Sequence, residues 1–362
     1  MPIFFFVLFG AYFSGNIYIF IRGWQAISGL PITLKVVFGI LYWLGALSFL
    51  YMLKRDEAFP STLAHYLHQI GTGWLVFTLY MVIGLLVIDL FKLFHLQSGY
   101  SIFVLSGLVL AVLLYGFINY KNPRVKQIDL AIDKPVNSAV KQLKIVAVSD
   151  IHIGYGTNKA ALKKYVKLIN AQQPDLILIA GDLIDNSIIP LRSQRMDEEL
   201  ALLKAPLGIY MAPGNHEYIS GIRESKSFLA PTPVKLLCDS IITLPNHLQI
   251  VGRDDRNNRH RLLVSELVTK ANPEWPIILL DHQPLELEKA AEAGIDLQIS
   301  GHTHSGQVWP ITLVTKSMFE LSYGSMKIGK SYFYTSSGLS LWGPPFRIGS
   351  NSELVVFNIT FR

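Results

Sequence analysis

Residues 3–21, IFFFVLFGAYFSGNIYIFI, run without a single charge and are interrupted only by Ser14, Gly15 and Asn16. That length matches the roughly 20 residues an α-helix needs to cross a hydrocarbon core. A cleavable signal peptide is the competing reading, but the basic leading segment is missing and the apolar length exceeds a usual signal core. Similar stretches follow at about 36–53, 72–94 and 101–120, so residues 1–120 are expected to form a transmembrane helical domain of four spans. The hydrophobic share of 51% and mean hydropathy of +0.35 agree with a chain that is partly in a membrane.

Four spans place both ends on one side. Lys54, Arg55, Lys121, Arg124, Lys126, Lys134 and Lys141 fall on that side, against Arg22, Lys35 and Lys92 on the other. The positive-inside rule then predicts a multi-pass cell-membrane protein with its C-terminal domain in the cytoplasm. Asp89, near the end of the third span, faces either the bundle or the interface. The net charge of +6 is modest, and no Lys/Arg tract is interleaved with aromatics, so nucleic acid is not an expected partner. Cys238 is the only cysteine, which excludes an intramolecular disulfide and a thiolate metal cluster.

A polar, Lys-rich connector with Pro123 and Pro135 spans 121–142, and from 143 to 362 the pattern becomes α/β. LKIVAVSD (143–150), DLILIAGD (175–182), GIYMAPGN and EWPIILLDH (274–282) read as buried strands. KAALKKYVKLINA (159–171), MDEELALLK (196–204) and LELEKAAEA (285–293) read as amphipathic helices, and LQIVGRDD, SYFYTSSG and ELVVFNI as further, more antiparallel strands.

Five apolar runs each end in a polar turn: SDIHIG at 149–154, GDLID at 181–185, GNHE at 214–217, DHQP at 281–284 and SGHTHSG at 300–306. A lone His-x-His is more often ordinary structure than a metal site, but five such turns in order point to one centre. Gly181, Gly214 and Gly301 allow sharp turns that aim the next side chain inward. The collected donors are Asp150, His152, Asp182, Asn215, His282, His302 and His304. They offer oxygen and nitrogen without sulfur, which suits Mn²⁺, Fe or Zn²⁺ better than Ca²⁺. Seven donors exceed the needs of one tetrahedral ion, so two divalent ions sharing a bridging carboxylate are expected.

The order DxH, GDxxD, GNHE, H, GHTH resembles the calcineurin-like metallophosphoesterase superfamily over residues of about 145–360. The resemblance implies mixed β-sheets flanked by helices and a dinuclear, metal-dependent phosphoric ester hydrolase, with Mn²⁺ the foremost ion. It implies that Asp150, His152, Asp182 and His304 hold one ion, that Asp182, Asn215, His282 and His302 hold the second, and that Asp182 bridges them. It gives His216 and Asp185 the catalytic roles of leaving-group acid and its orienting carboxylate, with hydroxide formed between the ions as nucleophile. Glu217 and Asp281 are expected to support the ligands, and Arg347 either reaches substrate phosphate or packs in its loop.

The whole chain resembles the membrane-anchored branch, whose members include enzymes that cleave lipid-linked phosphates such as diacylglucosamine nucleotides. Those often carry Arg-Asp where this chain has His216 and Glu217, so the expectation is a phosphate ester or pyrophosphate of a lipid or lipid-linked substrate rather than that one activity. Trp309, Leu313, Met318, Phe319, Leu321 and Tyr323 would accept an acyl chain if they surround the metals, or else belong to ordinary packing. A phosphodiesterase for a soluble nucleotide, a non-catalytic receptor for a phosphorylated ligand and a metal transporter are the alternatives. Oligomeric state is not legible.

Overall fold

The computed structural model describes residues 2–53, 61–92, 94, 100–137 and 142–362. Lys54, Arg55 and Lys141, which carry part of the predicted charge asymmetry, lie outside the described residues. The chain divides into two compact units, Met1–Ile118 with Gly343–Ile348 and Asn119–Trp342 with Gly349–Arg362.

The first unit is built on helices α1 (Pro2–Ala26), α2 (Ile32–Leu47), α3 (Ser61–Lys92) and α4 (Ser101–Lys121). All four are long and apolar enough to cross a membrane. The third begins at Ser61, well before the predicted Thr72. Of the polar residues near that point His68 and Thr72 are buried, and the Thr72 hydroxyl donates to the His68 carbonyl at 2.6 Å. The second ends earlier than predicted, giving way to a 3₁₀ turn over Ser48–Leu53.

Asn16, the polar interruption of the first span, is fully buried and joins three helices. Its Oδ1 accepts from Tyr42 Oη at 3.0 Å and Trp74 Nε1 at 2.9 Å. Asp89 pairs with Arg22 and accepts from the Tyr18 hydroxyl, so its charge is matched between α1 and α3. In the same unit Arg347 is buried, and its backbone N–H donates to the Gly116 carbonyl at 3.0 Å.

In chain order the second unit has β1 (Arg124–Ile132), β2 (Gln142–Val148), α5 (Lys159–Ala171), β3 (Leu176–Ala180), β4 (Ile209–Ala212) and β5 (Val234–Leu236). Then come β6 (Ser240–Thr243), β7 (Gln249–Gly252), β8 (Ile277–Leu280), β9 (Leu297–Ser300), β10 (Gly324–Ile328), β11 (Ser331–Thr335) and β12 (Glu353–Phe361). The strands form two mixed sheets, ordered β1-β12-β2-β3-β4-β5 and β10-β11-β9-β8-β7-β6. Ile145, Leu178, Leu280, Ile299 and Phe357 fill the space between them. The outer face of the first sheet is covered by Leu162, Val166 and Ile169 of α5, whose first turn is capped by Asn158. Leu267, Leu287 and Ala290 cover the second. Strands β3, β4, β8 and β9 are buried along their whole length, as runs covered on both faces must be.

The connector predicted over 121–142 contains β1, a strand at the sheet's edge. It pairs in parallel with β12 from Arg124↔Glu353 to Ile132↔Phe361. Only Leu130 and Ile132 are buried along it, so its sequence stays polar enough to read as a linker.

Candidate metal centre

Strands β2, β3, β4, β8 and β9 run in one direction within their sheets, and the five polar turns leave their C-terminal ends. There the backbone takes an uncommon form. Asp150, His152, Asp182, His302 and His304 have φ of 51°, 46°, 52°, 69° and 49°, left-handed values that non-glycine residues seldom adopt. Each costs about 1–3 kcal/mol and persists only where its surroundings enforce it. Gly181, with φ of 81°, is required by space as well: a Cβ there would lie 2.5 Å from His282 Nδ1.

These turns bring all nine predicted site residues together. Donor atoms of Asp150, His152 and His304 lie within 4.8 Å of one another, as do those of Asp182, His282 and His302. The same distance also joins His152 and Asp182 with His216. His152 Nε2 is 3.1 Å from His304 Nε2 and 3.8 Å from Asp182 Oδ2, so the two sets adjoin at Asp182. Asn215 Oδ1 lies 3.0 Å from His302 Nδ1. Asp185 Oδ1 sits between two imidazoles, 3.3 Å from His216 Nδ1 and 3.4 Å from His152 Nδ1.

His282 tests whether the cluster fits cations. Its Nδ1 lies 2.7 Å from the Ala180 carbonyl, which can only accept, so Nδ1 carries a proton. The neutral ring then presents a bare Nε2 lone pair, fully buried, 3.0 Å from Asp182 Oδ2 and out of hydrogen-bond alignment. Two electron-rich atoms facing each other in a low dielectric are unfavourable unless positive charge joins them. A proton does so in the bare site, where burial opposes but the Asp182 carboxylate holds His282 well above the usual histidine range. A divalent cation does the same, and the oxygen–nitrogen donor set suits one.

The other titrations divide by neighbour. Burial pushes the Asp182 carboxyl up, but the His282, His216 and His152 imidazoles outweigh it and hold it well below the carboxylate range. His302 is also lowered, to about 4, through burial and the charge of His282. Burial also lowers His216, yet contact with Asp185 and the charges of Asp182 and Glu217 prevail and raise it to about 9. His216 is therefore protonated at neutral pH in the metal-free site.

Glu217 binds no partner imidazole. Its carboxylate accepts from the backbone N–H groups of Asp182 at 3.0 Å, Ile184 at 2.9 Å and Gly214 at 2.7 Å, clamping two ligand turns together. Asp281 turns to Arg253, which donates to its Oδ2 at 3.0 Å. Both therefore support the turns.

Two residues escaped the sequence reading. Trp342 places its ring 6.1 Å from that of His216, and Gln307 holds it there by accepting from its N–H and donating to its carbonyl, both at 3.1 Å. The available signal was a tryptophan in the Gly/Pro-rich loop LSLWGPP and a glutamine closing GHTHSGQ. Phe319, named above as an acyl candidate, sits with its ring 5.8 Å from His302.

The calcineurin-like phosphoesterase family model matches residues 143–306. An uncharacterized metallophosphoesterase of Campylobacter jejuni is 35% identical over 267 residues, covering 71% of this chain and 70% of that protein. A transmembrane protein with metallophosphoesterase domain from Danio rerio is 32% identical, covering 69% of this chain and 61% of that protein. Among solved structures, a 5'-nucleotidase precursor from Thermus thermophilus aligns at 17% identity and a TM-score of 0.37, covering 60% of this chain and 55% of that one.

Proposed function

Since the chain belongs to the calcineurin-like metallophosphoesterases, we propose that it hydrolyses a phosphate ester or pyrophosphate carried by a membrane lipid, using two divalent metal ions. Asp150, His152, Asp182 and His304 would hold one ion, and Asp182, Asn215, His282 and His302 the other, with Mn²⁺ the foremost candidate. When bound, such ions supply Lewis acidity toward the phosphoryl oxygens and an acidified water as nucleophile.

The protein's own contribution centres on His216. With its Nδ1 3.3 Å from Asp185 Oδ1, its ring is oriented to donate a proton to the departing oxygen, the step that makes an alkoxide a tolerable leaving group. Glu217 keeps the turns of Asp182 and Asn215 at fixed spacing, so neither ligand needs to reorganise on binding. Trp342 offers an apolar face beside His216, where the leaving group departs.

One observation supports a lipid as the substrate's carrier. In the first sheet β12 runs antiparallel to β2, with Val355 opposite Ala147, and parallel to β1, with Glu353 opposite Arg124. The edge where β2 delivers Asp150 is therefore the edge where Arg124 begins, three positions after α4 ends at Lys121. The chain comes from an apolar helix into the catalytic unit on the ligand side. A bilayer orientation that puts this unit in the cytoplasm completes the proposal.

Phosphate or headgroup release by purified full-length protein in detergent with Mn²⁺ tests it, across lipid phosphates, diesters, pyrophosphates and a soluble chromogenic ester, with His216→Ala alongside. Turnover that needs His216 and favours a lipid is expected. Turnover of the soluble ester alone removes the lipid, and metal binding without turnover removes hydrolysis.

A further inference from the structure

Helix Ile311–Met318, sequence ITLVTKSM, is turned inside out for a surface helix in water. None of its residues is buried. It rests on the protein by its threonine side: a Cβ on Gly306 would lie 2.4 Å from Thr312 Cα and 2.7 Å from Thr315 Oγ1. Leu313, Val314 and Met318 stand 59%, 53% and 67% exposed, and Ile311 and the preceding Trp309 are exposed beside them. Water favours the opposite arrangement, with aliphatics inward and hydroxyls outward. A contiguous apolar face of this kind marks a binding surface.

The occupant follows from where the segment is fixed. Thr303 Oγ1 donates to the Ser322 carbonyl at 2.6 Å, tying the end of the segment to the GHTH turn. The next residue, Tyr323, donates to Glu353 Oε2 at 2.9 Å, and Glu353 is the register partner of Arg124. The inverted helix is thus anchored at the sheet edge that follows directly on an apolar, membrane-length helix. Its surroundings have interfacial composition, with Trp309 and Tyr323 as amphipathic rings and Lys316 as a cation able to reach phosphate headgroups.

We propose that helix Ile311–Met318 is an in-plane membrane-docking element, laying its aliphatic face into the headgroup–acyl boundary of the bilayer that carries the four spans. It is joined to the metal centre by Gly306, two residues after His304, so docking holds the ligand turn at headgroup depth. The inference rests on the chain spanning a membrane, and not on its being a hydrolase.

Full-length protein with Cys238→Ser, reconstituted in nanodiscs of zwitterionic and anionic phospholipid, provides the test. A polarity-sensitive fluorophore is attached at Leu313→Cys, at Val314→Cys or, as reference at the opposite sheet edge, at Gln142→Cys. The expected result is blue-shifted emission from positions 313 and 314, quenched severalfold by nitroxide-labelled lipid and little by aqueous iodide, with the reverse at position 142. Iodide access at all three positions overturns the proposal. Shielding of 313 and 314 from both quenchers overturns it as well, since the face is then covered by protein, such as a second copy. Phosphate release by the same samples reads the hydrolase assignment separately.

Discussion

Asp182→Asn separates metal binding from folding. Asp182 Oδ1 accepts from the His216 backbone N–H at 2.9 Å, and an asparagine keeps that acceptor and the side chain's volume. The other oxygen, 3.0 Å from His282 Nε2, becomes an NH₂ that can donate to that lone pair. In the metal-free wild type His282 is protonated and already held by the Asp182 charge, so the variant exchanges that contact for one neutral hydrogen bond and should fold but melt somewhat below the metal-free wild type. What it loses is the anionic donor common to both ligand sets. Even partners one shell out typically change metal affinity about 10–100-fold, so a loss of at least about 100-fold is expected here. For each ion, at free Mn²⁺ of about 100 Kd, wild type gains about 2.7 kcal/mol, against about 0.4 kcal/mol for a variant that binds it 100-fold more weakly. For a unit of this size about 2–4 °C accompanies each kcal/mol, giving a Mn²⁺-induced rise of roughly 5–11 °C per ion in wild type and about 1 °C per ion in the variant. Thermal unfolding with chelator and then with Mn²⁺, beside elemental analysis, reads both quantities. Equal Mn²⁺-induced rises would refute the ligand role, and a variant that melts above wild type in chelator would refute the account of a protonated His282 held by Asp182.

Three further outcomes follow from individual contacts. His216→Ala should lower kcat about 10²–10⁴-fold on an alkyl phosphate while retaining metal, and far less on a nitrophenyl ester whose leaving group needs no proton; equal losses on both would remove the acid role. Glu217→Ala strands three buried N–H groups at about 1–3 kcal/mol each, so the chelated protein should melt well below wild type, by differential scanning fluorimetry. Asn16→Leu removes the hydrogen bonds from Tyr42 and Trp74 at roughly 0.6 kcal/mol each, and should lower the helical unit's heat stability in detergent while leaving turnover of a soluble ester intact.

The parts of the fold legible in the sequence are those set by local rules. LILIA at 176–180 reads as a strand because every residue in it is buried, and 159–171 reads as a helix because Asn158 caps it and one face is apolar. The convergence of the five polar turns was legible for a related reason. Each follows a buried run, and a polar triplet in that position has few purposes other than to face a common centre. What stayed hidden is non-local. β1 exists through pairing with β12, more than two hundred residues away, and an edge strand with lysines has no period to announce it. The extra turns of α3 are too polar for a hydropathy window to include, yet they carry the helix on and bury His68.

The hardest case is the sense of an amphipathic helix. ITLVTKSM has an apolar side and a threonine side, and periodicity states only that two sides exist. Which one faces inward is decided by Gly306, whose missing Cβ admits the Thr312 backbone. The sequence carries the glycine, but its contact partner appears only in the folded chain. The same holds at Trp342, brought to His216 by two hydrogen bonds from a residue 35 positions away. Polar side chains gathered at strand ends can therefore be read from spacing, whereas the neighbours that returning loops bring to them, such as Trp342, are placed by contacts that spacing does not encode.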